Sequence, residues 1–432
     1  MMQDTGYISR DRQNRLQGVF ASCVLYLATV FIFASNVFAE GLNLQMLIDE
    51  ALKNNHEIKM ADARWKTSSF KVPQAKSLPD PMFMLGYQNE GWRRYTYGEM
   101  EGAQWMFSVS QMLPYPGKLS LKGEMVSRDS ESLNFSAGTV RLRTIARVKE
   151  LYYDLFLVYT SIDLIREKAA LFAMIEDAAT SRYSSGMARQ QDVLMAQTEK
   201  YMLLEREEMF RQKVQSIEAM LNTTIGRDVN SVISRPSKPA PSAYSYSMDE
   251  LIKIAYRNSP EIKSRERMIA SSETRVLMAE KEYYPDFTLA ASLYKRSGGF
   301  DDMWSLTTSI NIPIFYKTKQ RQAVNEANSA LSESKHEIEA EKLMISSAIK
   351  DNFSMMKASE RLMELYKNGL IPKIYQDFEA ALAGYVSGKV EAMTVINRLR
   401  ALTDLDILYW GQFTEREKAI ARLEAIAGGK VE

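Results

Sequence analysis

The chain repeats its own sequence pattern about 200 residues apart, in three separate segments. Seven positions of the first segment recur at a shift of 204, with Leu47, Ile48, Ala51, Asn54, Glu57, Ile58 and Lys59 matching Leu251, Ile252, Ala255, Asn258, Glu261, Ile262 and Lys263. The second segment recurs at a shift of 199, with Trp105, Ser110, Pro114 and Lys118 matching Trp304, Ser309, Pro313 and Lys317. The third recurs at 202, with Tyr183, Ser185, Gly186 and Val193 matching Tyr385, Ser387, Gly388 and Val395. The shifts differ by only a few residues, as insertions in loops would produce, so we expect two copies of one structural unit.

The first 39 residues have the features of a secretory signal peptide. Three arginines precede an apolar run over residues 19–34, and a small-x-small cleavage signature, Val37-Phe38-Ala39, stands before Glu40. A membrane anchor is the alternative, because the run is just long enough to span a bilayer. Either way, the rest of the chain is expected to leave the cytoplasm.

Cysteine and charge exclude several classes of function. Cys23 is the only cysteine and lies within the leader, so a mature chain would have no disulfide and no thiolate metal ligand. The 55 Lys and Arg residues balance 54 Asp and Glu residues, and no net positive field indicates nucleic-acid binding.

Four segments of about nine residues alternate between an apolar face and a face of small or polar residues, as strands do: residues 82–90, 104–112, 287–294 and 304–312. Each copy therefore carries one hairpin. The length suits a tilted strand that crosses a membrane. Trp92, Trp105 and Trp304 lie near strand ends, as residues of an aromatic girdle do. A soluble antiparallel sheet packed on a core would explain the alternation equally well.

Four strands cannot close a barrel, and open edges in lipid would leave backbone groups without hydrogen-bond partners. If these strands span a membrane, several protomers must share one barrel. Two or three copies would supply eight or twelve strands, and the strand pattern does not choose between them.

Long helices are expected to follow each hairpin. Residues 118–182 would form a helix about 100 Å long at 1.5 Å per residue. Residues 317–384 form its counterpart, in which Gly369 and Pro372 predict a bend. Tyr-x-x-Gly turns then lead to return helices over residues 187–221 and 389–427. Apolar residues recur at spacings of three or four along the first long helix and would form the seam of a coiled coil. They are Leu142, Ile145, Val148, Tyr152, Leu155, Tyr159, Ile162, Ile165, Ala169 and Phe172.

The predicted organisation is a signal peptide (1–39), a first repeat (40–228), a proline-rich connector (229–247) and a second repeat (248–432). Ser247 and Glu250 predict a capping box at the start of the second repeat. Ser259-Pro260 predicts a further helix with proline in its first turn.

A leader followed by two copies of short helices, strand pair, long helix, Tyr-x-x-Gly turn and return helix resembles the outer-membrane efflux protein family, the TolC-like proteins, and is most similar to its heavy-metal branch. The resemblance covers nearly the whole mature chain. The motifs that carry it are Leu47 to Leu52 with its echo Leu251 to Tyr256, Tyr284-Pro285-Asp286, and the turns 182–186 and 383–388.

The resemblance implies a mainly α fold with a transmembrane β-barrel. Three protomers would each contribute four strands to one 12-stranded barrel in the outer membrane, and their helices would form a tunnel through the periplasm. It also implies three kinds of partner besides outer-membrane lipid: two further copies of the chain, a periplasmic adaptor and an inner-membrane pump. The function implied is a passive exit duct that carries no catalytic residue and no cofactor.

The family also suggests functional positions at the tunnel tip. The tip and adaptor contact would comprise Arg182, Tyr183, Gly186, Tyr385 and Gly388. A gate would comprise Asp192, Tyr385, Glu391, Thr394 and Asn397, with Asp192 and Tyr385 as a latch. Family members often carry an acidic ring after the second turn, whereas this chain has threonine and asparagine at the matching positions. The sequence therefore does not predict an acidic constriction.

No motif for catalysis or phosphate binding is present, and two histidines, His56 and His336, are too few and too far apart in sequence to support a metal site or a triad. Methionine is plentiful, at 25 residues, and Met82 and Met84 share one strand face. Thioethers favour Cu(I), so a copper or silver route is the alternative interpretation, and flexible apolar filler is the expected role. We therefore assign no metal site from the sequence.

The expected function is the outer-membrane channel of a tripartite efflux system that extends into the periplasm. One alternative is the channel of a type I protein secretion system. Another, of a different class, is a soluble periplasmic coiled-coil scaffold or adaptor, but two helical hairpins and four membrane-length strands argue against it.

Overall fold

The computed structural model describes residues 42–429, so the signal-peptide prediction for residues 1–39 lies outside it. The first half contains α1 (Leu44–Asn54), α2 (His56–Lys76), β1 (Met82–Gln88), β2 (Gln104–Leu113), α3 (Lys118–Ser184) and α4 (Gln190–Ile225). The second half contains α5 (Met248–Asn258), α6 (Pro260–Lys281), β3 (Phe287–Lys295), β4 (Met303–Ile310), α7 (Gln320–Leu365), a π-helical turn (Tyr366–Leu370), α8 (Ile371–Val386) and α9 (Ala392–Ala427). The expected mainly α fold with four strands per protomer is confirmed, and the 12-stranded barrel shared by three protomers stays a prediction.

Short polar side chains begin the small helices. Asn43 accepts a hydrogen bond from the Gln45 amide at 2.8 Å to start α1. At α5, Ser247 and Glu250 form the reciprocal capping box that the sequence predicts. Pro260 occupies the first turn of α6, where a backbone N–H would have no acceptor within the helix, so its absence in proline costs no hydrogen bond.

The four strands form one antiparallel sheet in the order β1-β2-β3-β4. β1 and β4 end two residues earlier than the pattern predicts, at Gln88 and Ile310. At β4 the Asn311 amide donates to the Asp286 carbonyl at 3.0 Å, and Pro313 beyond it cannot continue a ladder. At β1 the Asn89 side chain donates to the carbonyl of Gly91 at 2.7 Å, which turns the chain into a loop.

Helix α3 has 67 residues and runs unbroken from the sheet to the opposite end of the protein, about 100 Å away at 1.5 Å per residue. Its two glycines lie where neighbours approach closely. A Cβ at Gly123 would lie 2.2 Å from the Cγ of Lys76 on α2, and one at Gly138 would lie 3.4 Å from Pro260 on α6. The glycines that weaken helix propensity therefore allow close packing of α2 and α6 on α3.

The second long helix starts and breaks differently from the first. It begins at Gln320, three residues later than expected, because residues 315–319 form turns in which the carbonyl of Tyr316 accepts from the Arg321 amide at 2.8 Å. The interruption predicted from Gly369 and Pro372 is a π-helical turn followed directly by α8. Proline cannot donate to the helical ladder, and the wider turn accommodates that break.

The helices lie side by side. Helix α3 packs against α2 and α4 on one flank and against α6 and α9 on the other, and α7 and α8 lie beyond α6 and α9. The predicted seam of α3 is buried at Val148, Leu155, Ile165 and Phe172. Three apolar clusters fill the spaces between helices, one around α1, one around α5 and one near the helical tip.

Within residues 42–429, no helix combines the length and the apolar character that crossing a membrane requires.

The repeat extends to the ends of the return helices. Gly226 and Gly428 close α4 and α9 in the left-handed region, at φ values of 81° and 100°. A Cβ at either glycine would lie 2.7 Å from a carbonyl oxygen, that of Asn54 in the first half and that of Asn258 in the second. Both the backbone conformation and the available space therefore require glycine at these two equivalent points.

Candidate functional site

The two tip turns have one architecture. Helix α3 ends in a Schellman motif, in which the Met187 amide donates to the Arg182 carbonyl at 2.8 Å and the Gly186 amide donates to the Tyr183 carbonyl at 2.9 Å. Helix α8 ends in the same way around Gly388, which like Gly186 has a positive φ. The Tyr-x-x-Gly motif is therefore a helix stop that places the tyrosine in the last turn of each long helix.

The two tyrosines of these motifs have opposite environments. The Tyr183 side chain is 47% exposed, whereas Tyr385 is 1% exposed and belongs to the apolar cluster at the tip. The asymmetry distinguishes the two hairpins: Tyr183 is available to a partner molecule, and Tyr385 packs within the tip.

Arg182 connects the two hairpins. Its guanidinium carbon lies 4.7 Å from the centre of the Tyr385 ring, and one of its terminal nitrogens donates to the Met187 carbonyl at 3.3 Å. A Cβ at Gly388 would lie 3.4 Å from that nitrogen. A cation–π contact therefore joins the end of α3 to the end of α8.

The predicted latch pair is close enough to interact electrostatically but is not hydrogen-bonded in the protomer. The Tyr385 hydroxyl has no hydrogen-bond partner within the described part of the chain. Burial of this side chain and the negative charge of Asp192 raise the pKa of the Tyr385 hydroxyl, and the positive charge of Arg182 opposes the rise. The structure thus brings together Asp192, Tyr385 and Arg182, of which the sequence placed only the first two in the gate.

The other gate candidates lie on the outside of the second hairpin. Glu391 is the N-cap residue of α9, and Thr394 and Asn397 follow as exposed residues on its first turns. They occupy a different face of α9 from the buried Val395 and Ile396. The protomer therefore leaves these three side chains unpacked, and they stay predicted gate positions.

The predicted girdle residues lie at the loop end of the sheet. Trp105 packs on Tyr87 with ring centres 5.0 Å apart, and Trp304 is exposed near the start of β4. Trp92 is fully exposed in the loop between β1 and β2. All three mark the same edge of the apolar surface.

A second group of aromatic residues, which the sequence analysis missed, lies at the helical end of the sheet. The rings of Tyr115 and Tyr284 stack with centres 4.5 Å apart, and Tyr283 and Tyr316 lie 6.3 Å apart. Tyr115 lies between two prolines and Tyr284 precedes one. This proline-tyrosine pattern at the strand ends is the sequence feature that could have predicted the second aromatic group. Aromatic residues therefore border both ends of the strands.

Groups of three or more His, Cys, Asp or Glu side chains arranged to hold a metal ion are absent from residues 42–429.

Comparison with known proteins identifies relatives across most of the chain. Residues 251–429 match the family model described as outer membrane efflux protein. The cobalt-zinc-cadmium resistance protein CzcC of Cupriavidus metallidurans is 21% identical over 402 residues, which cover 90% of this chain and 91% of that protein.

Solved structures show the same fold. CusC, a transmembrane channel, aligns with a TM-score of 0.78 at 14% identity over 90% of this chain and 92% of its own. The outer membrane protein VceC of Vibrio cholerae aligns with a TM-score of 0.76 at 15% identity, over 90% of this chain and 97% of its own. The fold is therefore that of the TolC-like channels.

Proposed function

We propose that this chain is a member of the outer membrane efflux protein family and serves as the outer-membrane exit channel of a tripartite efflux system. It conducts passively what an inner-membrane pump delivers, and it makes or breaks no covalent bond. The observation that carries the proposal is a sheet that is apolar and exposed on one face, joined to a continuous helix about 100 Å long.

The apolar face of the sheet needs an apolar environment. Phe83, Trp304 and Leu306 lie on this face and are 66%, 79% and 64% exposed in the protomer. The register aligns this face across all four strands, through the pairs Leu85 to Phe107, Phe107 to Leu293 and Leu293 to Trp304. Contact with the hydrocarbon of a lipid bilayer would bury these side chains.

The edges of the sheet support a closed assembly of several copies, and three is the number that the family resemblance implies. β1 and β4 each pair on one side only within the described chain, and in lipid their free backbone groups would lack partners. Pairing of β4 with β1 of the next protomer closes twelve strands. The outer helices also expose large apolar side chains in the protomer, with Tyr201 on α4 and Leu343 on α7 more than 70% exposed.

The helical tip is the surface for the periplasmic adaptor. Tyr183, Met187 and Val386 are exposed there beside the two glycine turns, at 47%, 72% and 66%. Three protomers present six such turns in a ring, and helical hairpins of an adaptor can pack between them. Substrate choice then belongs to the pump and adaptor that feed the ring.

Membrane fractionation combined with conductance measurement tests the proposal. The full chain is expected in the outer-membrane fraction, to require detergent for release, and to form pores when reconstituted in planar bilayers. Recovery in the soluble periplasmic fraction without detergent would instead support the scaffold alternative and overturn the channel.

Asp192→Ala tests the predicted latch. If Asp192 helps to hold the tip closed, its removal raises single-channel conductance or open probability, because one charge facing Tyr385 and Arg182 is lost. Exposed polar contacts contribute about 0.3 kcal/mol each, so their loss in three protomers is expected to raise the open-to-closed ratio about fivefold. Asp177→Ala, which removes a carboxylate from an exposed position of α3 about two turns before the same tip, is the matched control, and an equal effect of both variants would remove the special role of Asp192.

A further inference from the structure

The methionines of the sheet all lie on one face. The four strands contain five of them, Met82, Met84, Met106, Met112 and Met303. The register puts all five on the face that also carries serine and threonine, through pairs such as Met84 to Ser108 and Met112 to Thr288. The apolar face, which carries phenylalanine, leucine and tryptophan, has no methionine within these strands.

This segregation does not fit methionine as apolar filler. A thioether used for its apolar character would be expected among the leucines and phenylalanines that the lipid would cover. Instead the thioethers share a face with hydroxyl groups, such as the Ser292 side chain, which donates to Ser108 at 2.8 Å. In the proposed channel this second face borders the lumen, so the methionines line the path of the cargo.

Four of the methionines form a continuous path along the first hairpin. Met112 is diagonal to Met82, since Met82 pairs with Ser110, and Met84 lies two residues further along β1. Met106 is diagonal to Met84, since it pairs with Gly86. Such neighbours are separated by about 7 Å between Cα atoms, a gap that two flexible methionine side chains can bridge.

Side-chain placement at the outer end of this path supports it. A Cβ at Gly86 would lie 3.2 Å from the terminal methyl of Met106, so the Met106 side chain reaches over β1 through the space that glycine leaves. Met82, Met84 and Met112 are 69%, 51% and 42% exposed and are accessible to a solute. We call Met112, Met82, Met84 and Met106 the methionine ladder.

We propose that the methionine ladder binds soft monovalent cations, Cu(I) or Ag(I), as transported cargo. The proposal rests on the proposed channel, which puts the ladder in the lumen. Thioether sulfur prefers these ions over harder ones. Adjacent pairs of sulfurs can hold a two-coordinate ion in turn, so an ion passes from Met112 near the periplasmic end to Met106 without oxidation or reduction.

Silver binding to the purified full-length protein in detergent tests the ladder. Equilibrium dialysis against Ag(I) is compared for the wild type, for a variant with all four ladder methionines changed to leucine, and for a control with four exposed helical methionines changed to leucine. The control positions are Met202, Met209, Met220 and Met344. Leucine preserves the volume and apolar character of methionine, so both variants are expected to fold. If the ladder methionines were only apolar filler, the two variants would bind Ag(I) equally. We expect the ladder variant to bind Ag(I) at least about tenfold more weakly and the control to match the wild type.

Gly86→Val tests the geometry while retaining every sulfur. Its branched side chain occupies the space over which Met106 reaches and should weaken Ag(I) binding, whereas Zn(II) binding should differ little among all variants. Equal Ag(I) affinity of the ladder variant and the wild type would overturn the ladder. Pore formation by the same preparations separates this result from failure of the channel proposal, because a wild type that conducts but does not bind silver contradicts the ladder alone.

Discussion

Leu306→Arg is expected to abolish stable insertion in the outer membrane, whereas Thr307→Arg, one residue further along β4, leaves insertion intact. Both side chains are exposed in the protomer, so neither substitution disturbs a packed core. The register puts Leu306 opposite Ala291 on the apolar face and Thr307 opposite Ala290 on the other face. The pair therefore compares the two faces at one depth in the sheet.

The expected difference follows from the cost of a charge in hydrocarbon. An arginine on the lipid face near the bilayer midplane costs about 2–4 kcal/mol, and three copies of the chain multiply the cost within one barrel. An arginine toward a water-filled lumen keeps its hydration. Quantifying each variant in outer-membrane fractions, with trimer content measured by cross-linking in mild detergent, checks the prediction. A greater loss for Thr307→Arg would reverse the assignment of the two faces and would move the methionine ladder to the lipid side.

Much of the fold could be predicted because its signals are local or repeated. The strand alternation, the Tyr-x-x-Gly stops and the interruption near Pro372 depend on residues within a few positions of each other. Each of the strand and turn patterns also occurs in both copies of the repeat, so a weak pattern in one copy is supported by its counterpart in the other. The close approach of Gly226 to the Asn54 carbonyl recurs in the second copy between Gly428 and Asn258. The sequence repeat predicts the equivalence of the two asparagines but not that of the two glycines.

What could not be predicted depends on which elements meet in space. The sequence shows Met106 and Met84 as separate residues of two strands, and only the register makes them neighbours. Glu417 is another example. This buried carboxylate accepts from the Tyr153 hydroxyl at 3.3 Å and the Ser242 amide at 3.2 Å, and so ties α3, α9 and the connector together. No spacing rule links positions 153, 242 and 417.

The contact between Arg182 and Tyr385 at the tip likewise depends on which elements meet in space. Arg182→Ala is expected to open the tip more than Asp192→Ala does. Arg182 contacts the ring of Tyr385 across the two hairpins, whereas the Tyr385 hydroxyl has no partner within residues 42–429. A cation–π contact contributes about 0.5–2 kcal/mol, depending on its exposure to water. If each of three protomers loses about 1 kcal/mol, the closed-to-open ratio falls by a factor of about 10².

Two further variants separate the ring from the hydroxyl as the element that holds the tip. Tyr385→Phe keeps the aromatic face for Arg182 and should conduct nearly as the wild type does, whereas Tyr385→Ala should conduct as Arg182→Ala does. Arg189→Ala is the matched control for charge, since Arg189 is an exposed arginine at the same turn with no capping bond from its side chain. Single-channel recordings in planar bilayers measure all four. Tyr385→Phe removes only the hydroxyl oxygen and leaves the contact between the guanidinium and the ring intact. If this variant opened the tip as fully as Arg182→Ala, the hydroxyl and its neighbour Asp192 would be the latch. The cation–π contact would then be a consequence of closure and not its cause.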